Sequence, residues 1–244
     1  MLVIGAPFGN YLRFPGTLST LGTFTWQRRG GWPWRLWRVL ATVRPVPGGW
    51  VNRLGLPNPG LMGLRRAWGC ILSIKGFDAR EWQLLAERAL HLNPLAVELN
   101  LSCPNVKEGT GYLAAVQVLK GKIPLIRKLP PLGWQPLIDP DIGTWYHCCN
   151  TLPSVRGGVS GKRLKPYSLH LIEILRRMFG SRIQIIGGGG VTTAQDVRDY
   201  HHAGADHVSV ASLLLNPLAW YKVPLLQEAE GECNGRAGQR AVLG

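Results

Sequence analysis

The sequence predicts an α/β fold, and within that class a (β/α)8 TIM barrel. Three observations carry this. The chain has 244 residues, the size of one barrel domain. Eight short runs read as strands, at 2–5, 20–26, 70–75, 95–100, 123–128, 144–149, 183–187 and 207–211. Most are apolar throughout rather than alternating, as strands covered on both faces are. Segments of helical period lie between them. A doubly wound open sheet is the structural alternative.

The helices carry start and stop signals. Asp78 and Glu81 form a D-x-x-E start for 79–92, and Thr192 with Gln195 fits a capping box before 193–203. The segment 167–179 runs between Pro166 and Gly180 and sets Leu171, Ile174, Leu175 and Met178 on one face. An insert at 26–69 breaks the rhythm. It opens WQRRGGWPWRLWRV, with four Trp and four Arg in fourteen residues. One reading is an amphipathic helix that packs its indoles and leaves its guanidiniums in water. The other is a basic, aromatic surface for nucleic acid or an acidic membrane. Residues 1–228 are thus expected to form one barrel domain carrying this insert. The small, polar, glycine-rich stretch 229–244 is expected to be a flexible tail.

Composition narrows the chemistry. The 28 Lys and Arg outnumber the 14 Asp and Glu, a net charge of +14 that favours anionic partners: phosphorylated cofactors, acidic substrates or nucleic acid. The five cysteines (Cys70, Cys103, Cys148, Cys149 and Cys233) are odd in number and show no C-x-x-C spacing. Neither a disulfide framework nor a zinc or other metal site is expected, and a reducing compartment fits best. The first residues lack the pattern of a secretory signal, and no apolar run approaches the ~20 residues of a membrane span. A soluble, cytoplasmic protein is the expectation.

In a barrel the working residues sit just past the strand C-termini. Here those positions hold Asn100, Ser102, Cys103 and Asn105; Arg127 and Lys128; Asn150 and Thr151, with the loop RGGVSG; then GGGGVTT at 187–193; and Ala211 with Ser212. The glycines let backbone N–H groups approach a ligand, and a helix starting near Thr193 would turn its positive end toward a phosphate. Cys103 is either inert filler or a thiol activated by a nearby cation such as Lys107. Asn100 and Asn105 offer donors and acceptors to a planar ligand. His147, Cys148 and Cys149 alternate across a strand, so they cannot chelate together and are expected in the core.

These residues also carry a resemblance. ELNLSCPNV (98–106), APFGN (6–10), GLPNPG (55–60), CNT (149–151), GGVSG (157–161) and GGGGVTTAQDV (187–197) follow in the order seen in the class 1 dihydroorotate dehydrogenases and their FMN-dependent relatives, which the chain resembles over nearly its whole length. The resemblance implies an FMN-binding (β/α)8 barrel active in pyrimidine metabolism. It implies that Cys103 is the base that takes a proton from a substrate carbon while hydride passes to flavin N5. Asn52, Gly55, Leu56, Asn100, Asn105, Asn150 and Thr151 would line a pyrimidine pocket. Lys128 would sit at the flavin's pyrimidine edge, and Gly161, Gly188, Gly189 and Ser212 along the ribityl phosphate. A small dihydropyrimidine, dihydroorotate or a related ring, would be the substrate, with a homodimer or an electron-transfer subunit as partner. The sequence departs from the family's pattern at Gly22, where a lysine is usual, at Ile4-Gly5-Ala6, where Ala-Ser-Gly is usual, and at Ala211-Ser212, where Gly-Thr is usual. The competing functions are an FMN-dependent tRNA dihydrouridine synthase, which the charge suits, and a barrel that binds FMN or phosphate without turnover.

Overall fold

A computed structural model describes residues 1–30, 41–101, 111–139 and 145–242, and the side chains of these up to residue 235. In chain order the elements are β1 (Val3–Ile4), β2 (Leu18–Phe24), β3 (Val43–Val46), β4 (Gly49–Asn52), β5 (Ile71–Ile74), α1 (Ala79–His91), β6 (Ala96–Asn100), α2 (Leu113–Leu119), β7 (Leu125–Leu129), β8 (Trp145–Cys148), β9 (Leu152–Ser154), β10 (Gly157–Gly161), α3 (Lys165–Phe179), β11 (Gln184–Gly188), α4 (Ala194–Ala203), β12 (His207–Val210) and α5 (Lys222–Val242).

Eight of these strands close a parallel barrel in the order β1-β2-β5-β6-β7-β8-β11-β12, returning to β1. Each coincides with one of the eight apolar runs, so the barrel expectation holds. Their runs are apolar because each strand is covered twice, by the barrel interior and by the outer layer. The interior changes character along the strands. At the N-terminal end Val3, Ile71, Ala96, Ile126 and Ile186 form one apolar cluster, with Leu18 and Trp145 packed on it. Two residues further on, the same face of the same strands presents Gly5, Thr20, Ser73, Glu98, Lys128, His147, Gly188 and Ser209. Every member of this second layer is polar or glycine, and it forms the floor of the barrel mouth.

The outer helices follow local chemistry. Asp78 caps α1 by accepting the Glu81 N–H at 2.8 Å, while the Glu81 carboxylate accepts the Phe77 N–H at 3.0 Å. Trp82, Leu85, Ala86 and Ala89 form its buried face. In α3 the buried residues are Ser168, Leu171, Ile172 and Leu175. The face is rotated from the expected one, and Met178 is exposed. The capping box of α4 sits one residue later than expected: Thr193 caps, and its partner is Asp196 rather than Gln195. A carboxylate accepts hydrogen bonds only, which is what the N–H groups of a first turn need. The helix ends on Gly204 at φ 109°, a left-handed cap that favours glycine.

Two parts of the chain depart from expectation. A second sheet, antiparallel in the order β3-β4-β10-β9, joins the insert to the segment after β8. The GGVSG stretch read as a loop is therefore the strand β10. Gly161 pairs with Gly49, and a Cβ on Gly49 would lie 1.9 Å from Ser160 O, so the two backbones meet too closely for a side chain there. The expected flexible tail from 229 is instead the continuation of α5. Ala229 and Glu230 are each 2% exposed, and Glu230 accepts from His201 Nε2 at 2.7 Å and from the N-terminal ammonium at 2.9 Å. The boundary at 228 falls inside this packed helix. Most of the Trp- and Arg-rich run, at 31–40, lies outside the described residues. Among the described residues no helix is long and apolar enough to cross a membrane.

Candidate active site

Two adjoining clefts open at the C-terminal end of the barrel. The first, about 230 Å³, is lined by Ala6, Tyr11, Gly22 and Thr23 from the β1–β2 side, by Asn52, Gly55 and Leu56 of the insert, and by Asn100, Lys128, Asn150 and Thr151. The second, about 100 Å³, continues from Lys128, Asn150 and Thr151 to Gly161, Gly188, Gly189 and Ser212, with His147, Cys149 and Ser209 in its wall. Every described residue nominated for a pyrimidine pocket lies in the first cleft. Every residue nominated for the cofactor lies in the second, and Lys128 lies in both. Cys103 and Asn105 lie outside the described residues. A larger cavity, about 520 Å³, lies beside the N-terminal ends of β5 and β6. It is lined by Arg13, Arg65, Arg66 and His91 among others, and by none of the residues expected to bind substrate or cofactor.

A continuous chain of hydrogen bonds runs under the clefts. Thr151 N–H donates to Asn150 Oδ1 at 3.0 Å, Asn150 Nδ2 to Asn100 Oδ1 at 2.9 Å, and Asn100 Nδ2 to Thr23 Oγ1 at 2.9 Å. Thr23 and Ser73 share a bond at 3.0 Å, and Ser73 donates to Glu98 Oε1 at 2.7 Å. His147 Nδ1 lies 2.6 Å from Glu98 Oε2, and Lys128 Nζ is 3.8 Å from Glu98 Oε1. These groups come from β2, β5, β6, β7, β8 and the residues just after β8. The chain fixes which face of each amide looks into the cleft.

Glu98 is the electrostatic centre of this chain. Burial alone would push its carboxyl up, but the Lys128 cation and His147, with hydrogen bonds from His147 and Ser73, hold it at about 2. His147 moves the other way. Burial and the Lys128 cation lower its pKa, and they outweigh the attraction of Glu98. A neutral imidazole facing a carboxylate must carry its proton on Nδ1, which leaves Nε2 as an acceptor. Cys149 is pushed up to about 12 by burial, so it stays a thiol. His147 was expected in the core with Cys148 and Cys149. Cys148 is there, while His147 belongs to the cleft wall because its strand position points inward.

The glycine run divides its labour. A Cβ on Gly187 would meet Tyr200 Cδ1 at 2.5 Å, so this glycine lets β11 pack on the outer helices. Gly189 and Gly190, at φ 116° and 74°, form a turn whose added Cβ atoms would strike Leu164 and Gly161 O at 2.8 and 2.7 Å. Gly188 faces the barrel. A Cβ there would sit 3.1 Å from Ser209 O and 3.5 Å from His147 Nε2, filling the slot. The α4 N-terminus carries contacts of its own. The N–H groups of Thr192 and Thr193 both donate to Asp196 Oδ2 at 2.9 Å, and Lys165 Nζ pairs with the same carboxylate at 2.5 Å from Oδ1. The second cleft is bordered by the loop backbone around Gly161, Gly188 and Ser212.

Gly22 is closed as well as bare. Its φ is 109°, and a Cβ would lie 2.3 Å from Ser73 O. Asn10 brackets it from both sides, donating to Gly22 O and accepting from Gly22 N at 2.9 Å each. Lys128 is therefore the one cation among the described residues lining the two clefts.

Known proteins resemble the chain in sequence and in fold. The family model for dihydroorotate dehydrogenase matches residues 147–224, from β8 to the start of α5. The catalytic subunits of dihydroorotate dehydrogenase B (NAD(+)) from Bacillus cytotoxicus and from Bacillus cereus strain B4264 are each 29% identical to the chain. Each alignment covers 80% of this chain and 78% of the relative. Among solved structures, DHODH from Eimeria tenella superposes with a TM-score of 0.67 in both its ferulenol complex and its ligand-free form. Identities are 16% and 18%, covering 92% and 97% of this chain and 76% and 85% of those chains. These two share its barrel fold. In sequence the chain is similar to these dihydroorotate dehydrogenase subunits, and its barrel fold is that of the two DHODH structures.

Proposed function

We propose that this chain is a flavin-dependent oxidoreductase of the dihydroorotate dehydrogenase type, which binds FMN across the barrel mouth and oxidises a dihydropyrimidine. One observation carries the reading. Residues from separate segments, given their roles by the resemblance, border two joined clefts: amides in the wide cleft, glycines in the narrow slot, and Lys128 in both.

The slot can take the cofactor because its floor lacks side chains where Gly5 and Gly188 stand, and a Cβ at either would intrude on it. Gly161, Gly188, Gly189 and Ser212 would hold the phosphate end, and Lys128 the pyrimidine edge. Bound there, FMN supplies a hydride acceptor. The chain's own residues supply the rest. Asn100 and Asn150, locked to one another and to Thr23, present fixed amide edges to a planar ring. Asn52, Gly55 and Leu56 of the insert line the same cleft and would shield that ring from water. Cys103, supplied by the sequence just after β6, is the base that removes the substrate proton.

A neutral ring is the second reading of the substrate. Gly22 admits no lysine, and Lys128 shares its charge with Glu98 at 3.8 Å. That balance suits dihydrouracil better than the carboxylate of dihydroorotate. The test is to load the purified protein with FMN and add each compound without oxygen. Flavin absorbance near 450 nm should bleach, and Cys103→Ala should keep the colour while slowing the bleaching at least ~100-fold. Bleaching of the variant at the parent rate would remove Cys103 from the base role.

A further inference from the structure

The second polar layer of the barrel holds two atoms that the proposed chemistry leaves unused. His147 Nε2 and Ser209 Oγ both border the narrow slot, on either side of Gly188. His147 is 3% exposed and Ser209 4%. Neither atom has a hydrogen-bond partner among the described residues, yet neither is sealed from the slot as the buried, unpartnered Thr20 Oγ1 is. Their positions are fixed from behind. Glu98 holds the imidazole through Nδ1, and β12 pairs with β11 so that Ser209 lies opposite Gly188. The glycines at 5 and 188 keep the space open: a Cβ on Gly5 would lie 3.1 Å from Ser209 Oγ, and one on Gly188 3.5 Å from His147 Nε2.

The two atoms have complementary chemistry. With its proton on Nδ1, the imidazole presents a lone pair and cannot donate. The serine hydroxyl both donates and accepts. A carboxylate or phosphate would meet a lone pair at Nε2, which repels it. An aliphatic group would leave both polar atoms unpaired. A chain of hydroxyl groups satisfies both. We propose that His147 and Ser209 form a hydroxyl-reading pair that binds the ribityl polyol of the flavin nucleotide, between its ring and its phosphate. This rests on the flavin reading above and adds two cofactor-binding residues to it. The register accounts for their place in the wall: they stand between Lys128 on one side, assigned to the ring, and Gly5 and Ala211 on the other.

The experiment titrates the apoprotein with FMN, riboflavin and lumiflavin, following flavin fluorescence and absorbance. Lumiflavin has the ring without the polyol. Loss of one buried hydrogen bond corresponds to about 5–10-fold in affinity. His147→Leu and Ser209→Ala should each weaken FMN and riboflavin by that factor and leave lumiflavin unchanged. His147→Gln, which keeps an acceptor, should recover most of the loss. Ser209→Ala touches no member of the Glu98 chain, so it tests the pair even if His147→Leu unfolds. Equal weakening of all three flavins, or none, overturns the pair while leaving the flavin reading intact. A parent protein that binds none of the three overturns both.

Discussion

Replacing Glu98 with Gln tests the electrostatics of the barrel mouth. The substitution keeps the shape of the side chain and removes its charge. The parent carboxyl is fully buried and is held at about 2 against an ordinary value of 4.5. That difference is worth ~3 kcal/mol of stability at neutral pH, from ~1.4 kcal/mol per tenfold change in proton affinity. The folded-state value is the depressed one. The contribution is therefore complete above pH 4.5 and is lost as pH falls toward 2. Gln does not titrate, so the gap between parent and variant must close over that window. All other carboxylates, Asp196 included, are common to both proteins and cancel. Urea unfolding followed by tryptophan fluorescence, at intervals from pH 7 to pH 2.5, reads the gap directly. A gap of ~3 kcal/mol at pH 7 that shrinks to near zero at the acid end is expected. A gap that stays constant across the range would refute the assignment of Glu98 as a charged, ion-paired group.

Gly22→Ala should lower stability by ~2–4 kcal/mol, read by thermal melting, because the new Cβ meets Ser73 O at 2.3 Å and the backbone is left-handed. For the same reason Gly22→Lys should not raise turnover of dihydroorotate. Gly188→Ala should weaken FMN at least ~10-fold, by equilibrium titration, since the methyl enters the slot. Asp196→Ala should cost ~1–2 kcal/mol through loss of the α4 cap. Its destabilisation should fade below pH 3.8, because the parent carboxyl, raised by burial but lowered further by Lys165 and the Thr192 and Thr193 bonds, is held at about 2.

The barrel was legible because burial on two faces writes continuous apolar runs, as in ILSI and AVELN. The starts of α1 and α4 were legible to within a residue, because capping needs a short polar side chain at a fixed offset. The antiparallel sheet was not. Its strands VRPV, GWVN, LPS and GGVSG are largely exposed or rich in proline and glycine, with no apolar alternation to betray them. GGVSG looks like a ligand loop because the close approach of Gly161 to Gly49 also demands glycine. The α5 extension was missed because AEGECNG has weak helix propensity, and its order comes from Glu230 bonding across the barrel base. The cleft residues found from motifs were those matching a known pattern. His147 and Ser209 match none, and finding them takes the barrel register. Counting two residues along each strand, from Trp145 to His147 and from His207 to Ser209, is the signal that was present in the sequence.

The most direct measurement is an absorbance titration of the purified chain with FMN, followed by anaerobic addition of dihydroorotate and dihydrouracil. Saturable binding of one flavin per chain, with a perturbed 450 nm band that bleaches on adding a dihydropyrimidine, is the predicted result. A chain that stays colourless at saturating FMN, with its fold intact by circular dichroism, would contradict the account.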